Sequence, residues 1–210
     1  MQIKNHVIYL MDANLIDVNQ INNLICQYSY IKELDKNNNF VFTNDAKLHA
    51  ISLFFIIQYL QTNQINDEHL TFNDGYYLID DNHHYFSISH KNKYTAFISS
   101  NCPVGIDIED LNQKIDINIA KKYFPNYIDD FNNENFLICW TRTEALLKCA
   151  NIAFTAACKI INQLNNINAT DIDDKYYFKT LKYKNMLITI CHKHKLQCEY
   201  KICEIDYLPK

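Results

Sequence analysis

A seven-residue stretch, Val104–Asp110, read as VGIDIED, limits what this chain can fold into more than any other. Side chains alternate across an extended segment, so Ile106 and Ile108 face a core while Asp107 and Glu109 stand together on the opposite face. Gly105 is one of only two glycines in the chain. A residue without a Cβ just before the acid pair signals that something packs closely against the backbone there. A second stretch, Trp140–Lys148, reads WTRTEALLK. As a helix it sets Glu144 and Lys148 one turn apart on one face. Three carboxylates and an ammonium can then converge on one point, an arrangement that is costly unless a cation sits in it. Hard, oxygen-rich sites with few protein ligands suit Mg²⁺, with Mn²⁺ as the alternative, and such an ion ordinarily bridges to substrate phosphates. The implied chemistry is phosphoryl or phosphodiester transfer.

Upstream of these lies a third stretch, Phe86-Ser87-Ile88-Ser89-His90. An S-H pair, then G-I-D-I-E, then W-[ST]-x-x-E-[AS]-x-x-K some thirty residues on, in that order and at those separations, resembles the 4′-phosphopantetheinyl transferases, in particular the larger surfactin-synthetase-activating (Sfp-like) type. The resemblance implies an α+β fold of two similar halves with the active site in the cleft between them. It implies transfer of the 4′-phosphopantetheine arm of coenzyme A to a serine of an apo acyl or peptidyl carrier protein, with release of adenosine 3′,5′-bisphosphate. Asp107, Glu109 and Glu144 are then the Mg²⁺ ligands, and Glu144 also serves as the base for the attacking hydroxyl. Lys148 holds the pyrophosphate and stabilises the leaving phosphate. Ser89 and His90 contact coenzyme A phosphates, His90 being counted with the catalytic groups. Lys47 falls where relatives carry basic residues for the nucleotide 3′-phosphate, with Lys36 and His49 as competitors. The segment Leu111–Tyr123, with Ile115, Ile117 and Ile119, corresponds to one that helps receive the carrier protein.

Three departures from the family pattern stand out. The usual G-K-P is here Gly75-Tyr76-Tyr77, the Asn that usually precedes the Ser-His strand end is Ser87, and the glutamate expected after Tyr123-Phe124 is out of register, with Asp129 and Asp130 the nearest acids. Each motif also has a plain structural account. Asp107 and Glu109 read as solvated acids on a strand edge, Glu144 and Lys148 as an i,i+4 pair worth about 0.2–0.5 kcal/mol, and Ser89-His90 and Lys47 as ordinary polar residues. Against this, Phe136, Trp140 and Leu147 call for a largely buried helix, and a carboxylate among them needs a partner. The rival functions are another Mg²⁺-dependent phosphate enzyme and a degenerate homologue that binds coenzyme A or carrier proteins without catalysis.

With 210 residues, 48% hydrophobic and 13% aromatic content, the chain can fill a sizeable core. Its formal net charge of −4 points to neither nucleic acid nor an anionic membrane. The eight cysteines contain no C-x-x-C spacing and read as reduced, mostly buried thiols. Cys191, His192, His194 and Cys198 match no common zinc spacing, and strand alternation sends Cys191 and His192 to opposite faces. The longest apolar run, Ile51–Leu60, falls short of the roughly 20 residues of a membrane span. These features lead us to expect a monomeric, cytoplasmic protein.

Hydrophobic periodicity predicts a strand at Ile3–Leu10, helices at Val18–Tyr30 and Ala46–Gln61, and strands at Tyr76–Ile79, His84–Ile88 and Tyr94–Ile98. The order then recurs after Gly105, with helices at Ile117–Tyr123 and Asn135–Ala150 and strands at Tyr176–Leu181, Met186–Cys191 and Cys198–Ile202. Two halves result, residues 1–101 on the coenzyme A nucleotide side and 102–210 carrying the metal ligands and catalytic helix.

Overall fold

The computed structural model describes residues 4–15, 17–28, 31, 43–73, 76–79, 83–127, 132–164, 166, 169–194 and 198–205. Lys36, Gly75, Asp129 and Asp130 lie outside the described residues. The helices are α1 (Val18–Ile25), α2 (Thr43–Asn63), α3 (Ile117–Tyr123), α4 (Asn133–Ala150) and α5 (Phe154–Asn162). The strands are β1 (Lys4–Asp12), β2 (Leu70–Asn73), β3 (Tyr76–Ile79), β4 (Tyr85–Lys91), β5 (Tyr94–Ser100), β6 (Val104–Asp110), β7 (Asp171–Ile172), β8 (Tyr176–Tyr183), β9 (Met186–His192) and β10 (Cys198–Ile205). The class is α+β, as the sequence predicts.

Apolar residues on both faces of β1 force it into the interior of a sheet, and its sheet runs β10-β1-β5-β4. A second four-stranded sheet runs β6-β9-β8-β7, and β2 and β3 form a separate hairpin. Ile8, Leu10, Ala96 and Ile98 of the first sheet cluster with Ile106, Ile108, Ile188 and Ile190 of the second. The outer face of the first sheet carries α2, with Phe55 stacked on Phe97 at 5.2 Å between ring centroids. The outer face of the second carries α4, whose Leu137 and Leu146 join Leu187 and Cys191. Each sheet is thus covered by one long helix.

Three elements differ from expectation. The last strand, expected with the second sheet, runs parallel to β1 in the first. The predicted strand Tyr76–Ile79 pairs with β2 and not with β4 or β5. Helix α5 follows directly on α4 and gives no start signal, because its N-cap is Ala153, which makes no side-chain hydrogen bond. Asn44 and Asp45, residue types that favour helix caps, lie inside the first turn of α2, and Asn44 Nδ2 donates to Asn92 O at 3.0 Å.

The two sheets meet where edge strand β4 comes against edge strand β6. Ile106 sits opposite Ile190 with its N–H turned to the open edge, where it donates to Ser87 Oγ at 3.0 Å. Ser89 Oγ donates to Asp107 Oδ1 at 2.7 Å, and Asn92 Nδ2 to Asp110 Oδ2 at 2.7 Å. Serine and asparagine side chains do at this seam what a backbone ladder would otherwise do.

Candidate functional site

Gly105 explains how the acid pair meets the helix. A Cβ at this position would lie 1.9 Å from Ala145 O and 2.8 Å from Cys149 N, so the close-packed partner is the backbone of α4 itself. The helix therefore rests on β6, and Lys148, one turn beyond Ala145, reaches the strand. Lys148 Nζ donates to Ile106 O at 2.9 Å and to Asp107 Oδ1 at 3.1 Å. Lys148 stands in the last turn of α4, where the helix dipole favours a cation. Ile106 and Ile108 face the core, with 0 and 1% of their surface exposed.

A cavity of about 400 Å³ opens at this point. Its walls are α2 (Asp45, His49, Ser52), β3 (Tyr77), β4 (Ser87, Ser89, His90), β6 (Asp107, Glu109) and the end of α4 (Trp140, Glu144, Lys148, Asn151). Six of the seven residues singled out in the sequence thus line one space. The seventh, Lys47, is not in the lining, whereas its named competitor His49 is; Asp45, His49 and Ser52, spaced four and three apart, present that face of α2. This polar stripe within a mostly apolar helix was a readable signal for the contribution of α2.

The site's electrostatics follow from crowding acids into a half-buried space. Lys148 and Asp107 form an ion pair with side chains only 9 and 7% exposed. Desolvation offsets most of the attraction in such a pair, which makes it weak as a stabilising device. The plain account of Lys148 as a surface partner of Glu144 does not hold, since its acidic partner is Asp107. Lys91 Nζ lies 2.6 Å from Glu109 Oε2, an oxygen buried with no other partner. Burial raises the pKa of Glu109, opposed by Lys91, and the neighbouring Asp107 pushes it further up. Burial likewise raises Glu144, opposed by Lys148 and reinforced by Asp107 and Glu109. His90 is exposed at the cavity mouth, yet the protein packed around its ring lowers its pKa, and Lys148 adds to the effect. The imidazole is therefore neutral near neutral pH.

Among the described residues the two oxygens of Asp107 are treated differently. Asp107 Oδ1 accepts from both Ser89 and Lys148, whereas Asp107 Oδ2 is buried without a hydrogen-bond partner. A carboxylate oxygen in that state costs free energy until a donor or a cation completes it. The hard oxygens of Asp107, Glu109 and Glu144 are of the kind that bind Mg²⁺ or Mn²⁺. Among the described residues, no three His, Cys, Asp or Glu side chains are gathered closely enough to hold one ion as they stand.

Elsewhere, Cys191 packs into the core under α4, while His192 lies against His6 and Tyr200. Cys139, Cys149, Cys158 and Cys191 are free and buried. No described helix is long and apolar enough to cross a membrane. No protein-family model matches the chain, and no curated protein matches it.

Proposed function

We propose that this protein is a 4′-phosphopantetheinyl transferase of Sfp-like type, which moves the phosphopantetheine arm of coenzyme A onto a serine of an apo acyl or peptidyl carrier protein. The observation that carries this reading is the convergence of three separate motifs, Ser89-His90, Asp107/Glu109 and Glu144/Lys148, on one cavity. Two sheets, each covered by one long helix, support the reading of two similar halves. Ile117 and Ile119 are 37 and 42% exposed in α3, the segment that the resemblance assigns to carrier binding.

Asp107, Glu109 and Glu144 would hold Mg²⁺, which when bound neutralises diphosphate charge and polarises the phosphorus–oxygen bonds. The carrier serine oxygen forms the new bond to phosphorus, and the bond to the departing adenosine 3′,5′-bisphosphate breaks. Glu144, which lines the cavity beside Lys148, accepts the serine proton. Lys148 stands at the cavity wall to meet the charge on the leaving phosphate. Neutral His90 at the mouth donates one ring N–H to a phosphate oxygen. Ser89, assigned to the coenzyme A phosphates, donates its hydroxyl to Asp107 and lines the same cavity.

A binding-only role is favoured by one feature, the lysines already paired with Asp107 and Glu109. Incubation with coenzyme A, Mg²⁺ and an apo acyl carrier protein separates the two, read as the mass gain of the phosphopantetheine arm. Transfer by the wild type and its loss in Glu144→Gln support the enzyme; no modification of any carrier supports binding alone.

A further inference from the structure

We infer that Lys91 is an exchangeable counter-ion that holds Glu109 until a divalent cation takes its place, and so sets the affinity of this site for metal. The inference rests on the reading of Asp107, Glu109 and Glu144 as metal ligands.

The three acids are not treated alike. Asp107 is tied by Ser89 and by Lys148, a lysine rooted in α4 whose ammonium also caps the Ile106 carbonyl. Lys148 is therefore fixed by two acceptors. Lys91 has a different standing. It is the last residue of β4, it is 25% exposed, and its one ion pair among the described residues is with Glu109 at 2.6 Å. An ammonium on a flexible four-carbon stem at a strand end can leave for solvent with little loss, whereas Glu109, 12% exposed, cannot follow it. The acid cluster is thus closed by one fixed cation and one removable one. Three carboxylates line the one cavity, each with a different set of neighbours. Lys91 holds Oε2, the buried oxygen of Glu109, so a divalent cation and the ammonium compete for that oxygen.

Competition for a contact is distinct from general repulsion. Lys93 lies two residues away and is paired with Asp12 on the other side of the β4–β5 turn. Removing either lysine changes the net charge equally, but only one releases Glu109.

The test is Mn²⁺ binding to the protein alone, at mildly alkaline pH and low ionic strength, by electron paramagnetic resonance of the free ion. Lys91→Met is expected to bind Mn²⁺ about tenfold more tightly than wild type, and Lys93→Met less than about twofold more tightly. Lys91→Arg keeps the charge and leaves affinity within about twofold of wild type. Equal gains in Lys91→Met and Lys93→Met, or no gain in Lys91→Met, overturn the inference. If Glu109→Gln abolishes binding in that case, the metal reading survives without it. Absence of Mn²⁺ binding in every protein overturns both.

Discussion

Asp107 concentrates the chemistry of the site because its two oxygens are treated differently, one gripped by Ser89 and Lys148 and the other left buried and bare. That asymmetry was not legible in the sequence, where alternation places Asp107 and Glu109 on one face but says nothing about which groups reach them across the chain. Lys91 and Ser87 went unread as site residues for the same reason, since both act through the β4–β6 seam. Asp107→Asn or Glu144→Gln is expected to lower transfer by about a hundredfold or more while leaving the circular dichroism spectrum unchanged. Glu144 also leads to a prediction about stability. Its folded pKa is raised, so the folded state holds a proton that the unfolded chain has released, and the resulting relative stability is lost as pH rises from about 4.5 through the raised value. Glu144→Gln removes that loss. Urea unfolding should show its midpoint gaining on the wild type as pH rises through this window, with no gain below it.

At the level of elements, the helix α4 and strand β6 were legible because each carries a complete local pattern: alternating isoleucines in one, and in the other a face of Phe136, Trp140 and Leu147. Gly105 signalled a close approach to β6 without naming its source, which the structure shows to be the backbone of α4. Gly105→Ala is expected to push α4 off β6 by overpacking, at a cost of about 1–3 kcal/mol or more in chemical unfolding, and to abolish transfer because Lys148 loses register with Asp107. Retention of both stability and activity would contradict the role given to this contact. Helix α5 and the β2–β3 pairing were not legible, the first for want of a capping residue and the second because strand periodicity does not name a partner.

Over the whole molecule, sequence order predicted helices followed by strands in each half but not the return of the last strand to β1, a long-range pairing that no local pattern records. Where β1, β9 and β10 come together, His192, 2% exposed, lies 5.4 Å from His6 and 5.9 Å from Tyr200 between ring centroids. Burial, with a smaller contribution from His6, lowers its pKa to about 3 from 6.5. Below 6.5 the unfolded chain takes up a proton that folded His192 refuses, so stability falls with pH by about 1.4 kcal/mol per unit until the folded value is reached. His192→Gln should flatten that part of the slope between pH 7 and pH 5 in urea unfolding, and an unchanged slope would show that another group governs it. The site itself lies at the opposite seam, where β4 of one sheet and α4 and β6 of the other share a cavity. Its direct test is a crystal structure with coenzyme A and Mn²⁺, read by anomalous scattering. One manganese peak is expected within bonding distance of Asp107 Oδ2, Glu109 and Glu144, with the diphosphate beside Lys148; a peak elsewhere, or coenzyme A bound away from this cavity, would contradict the proposed site.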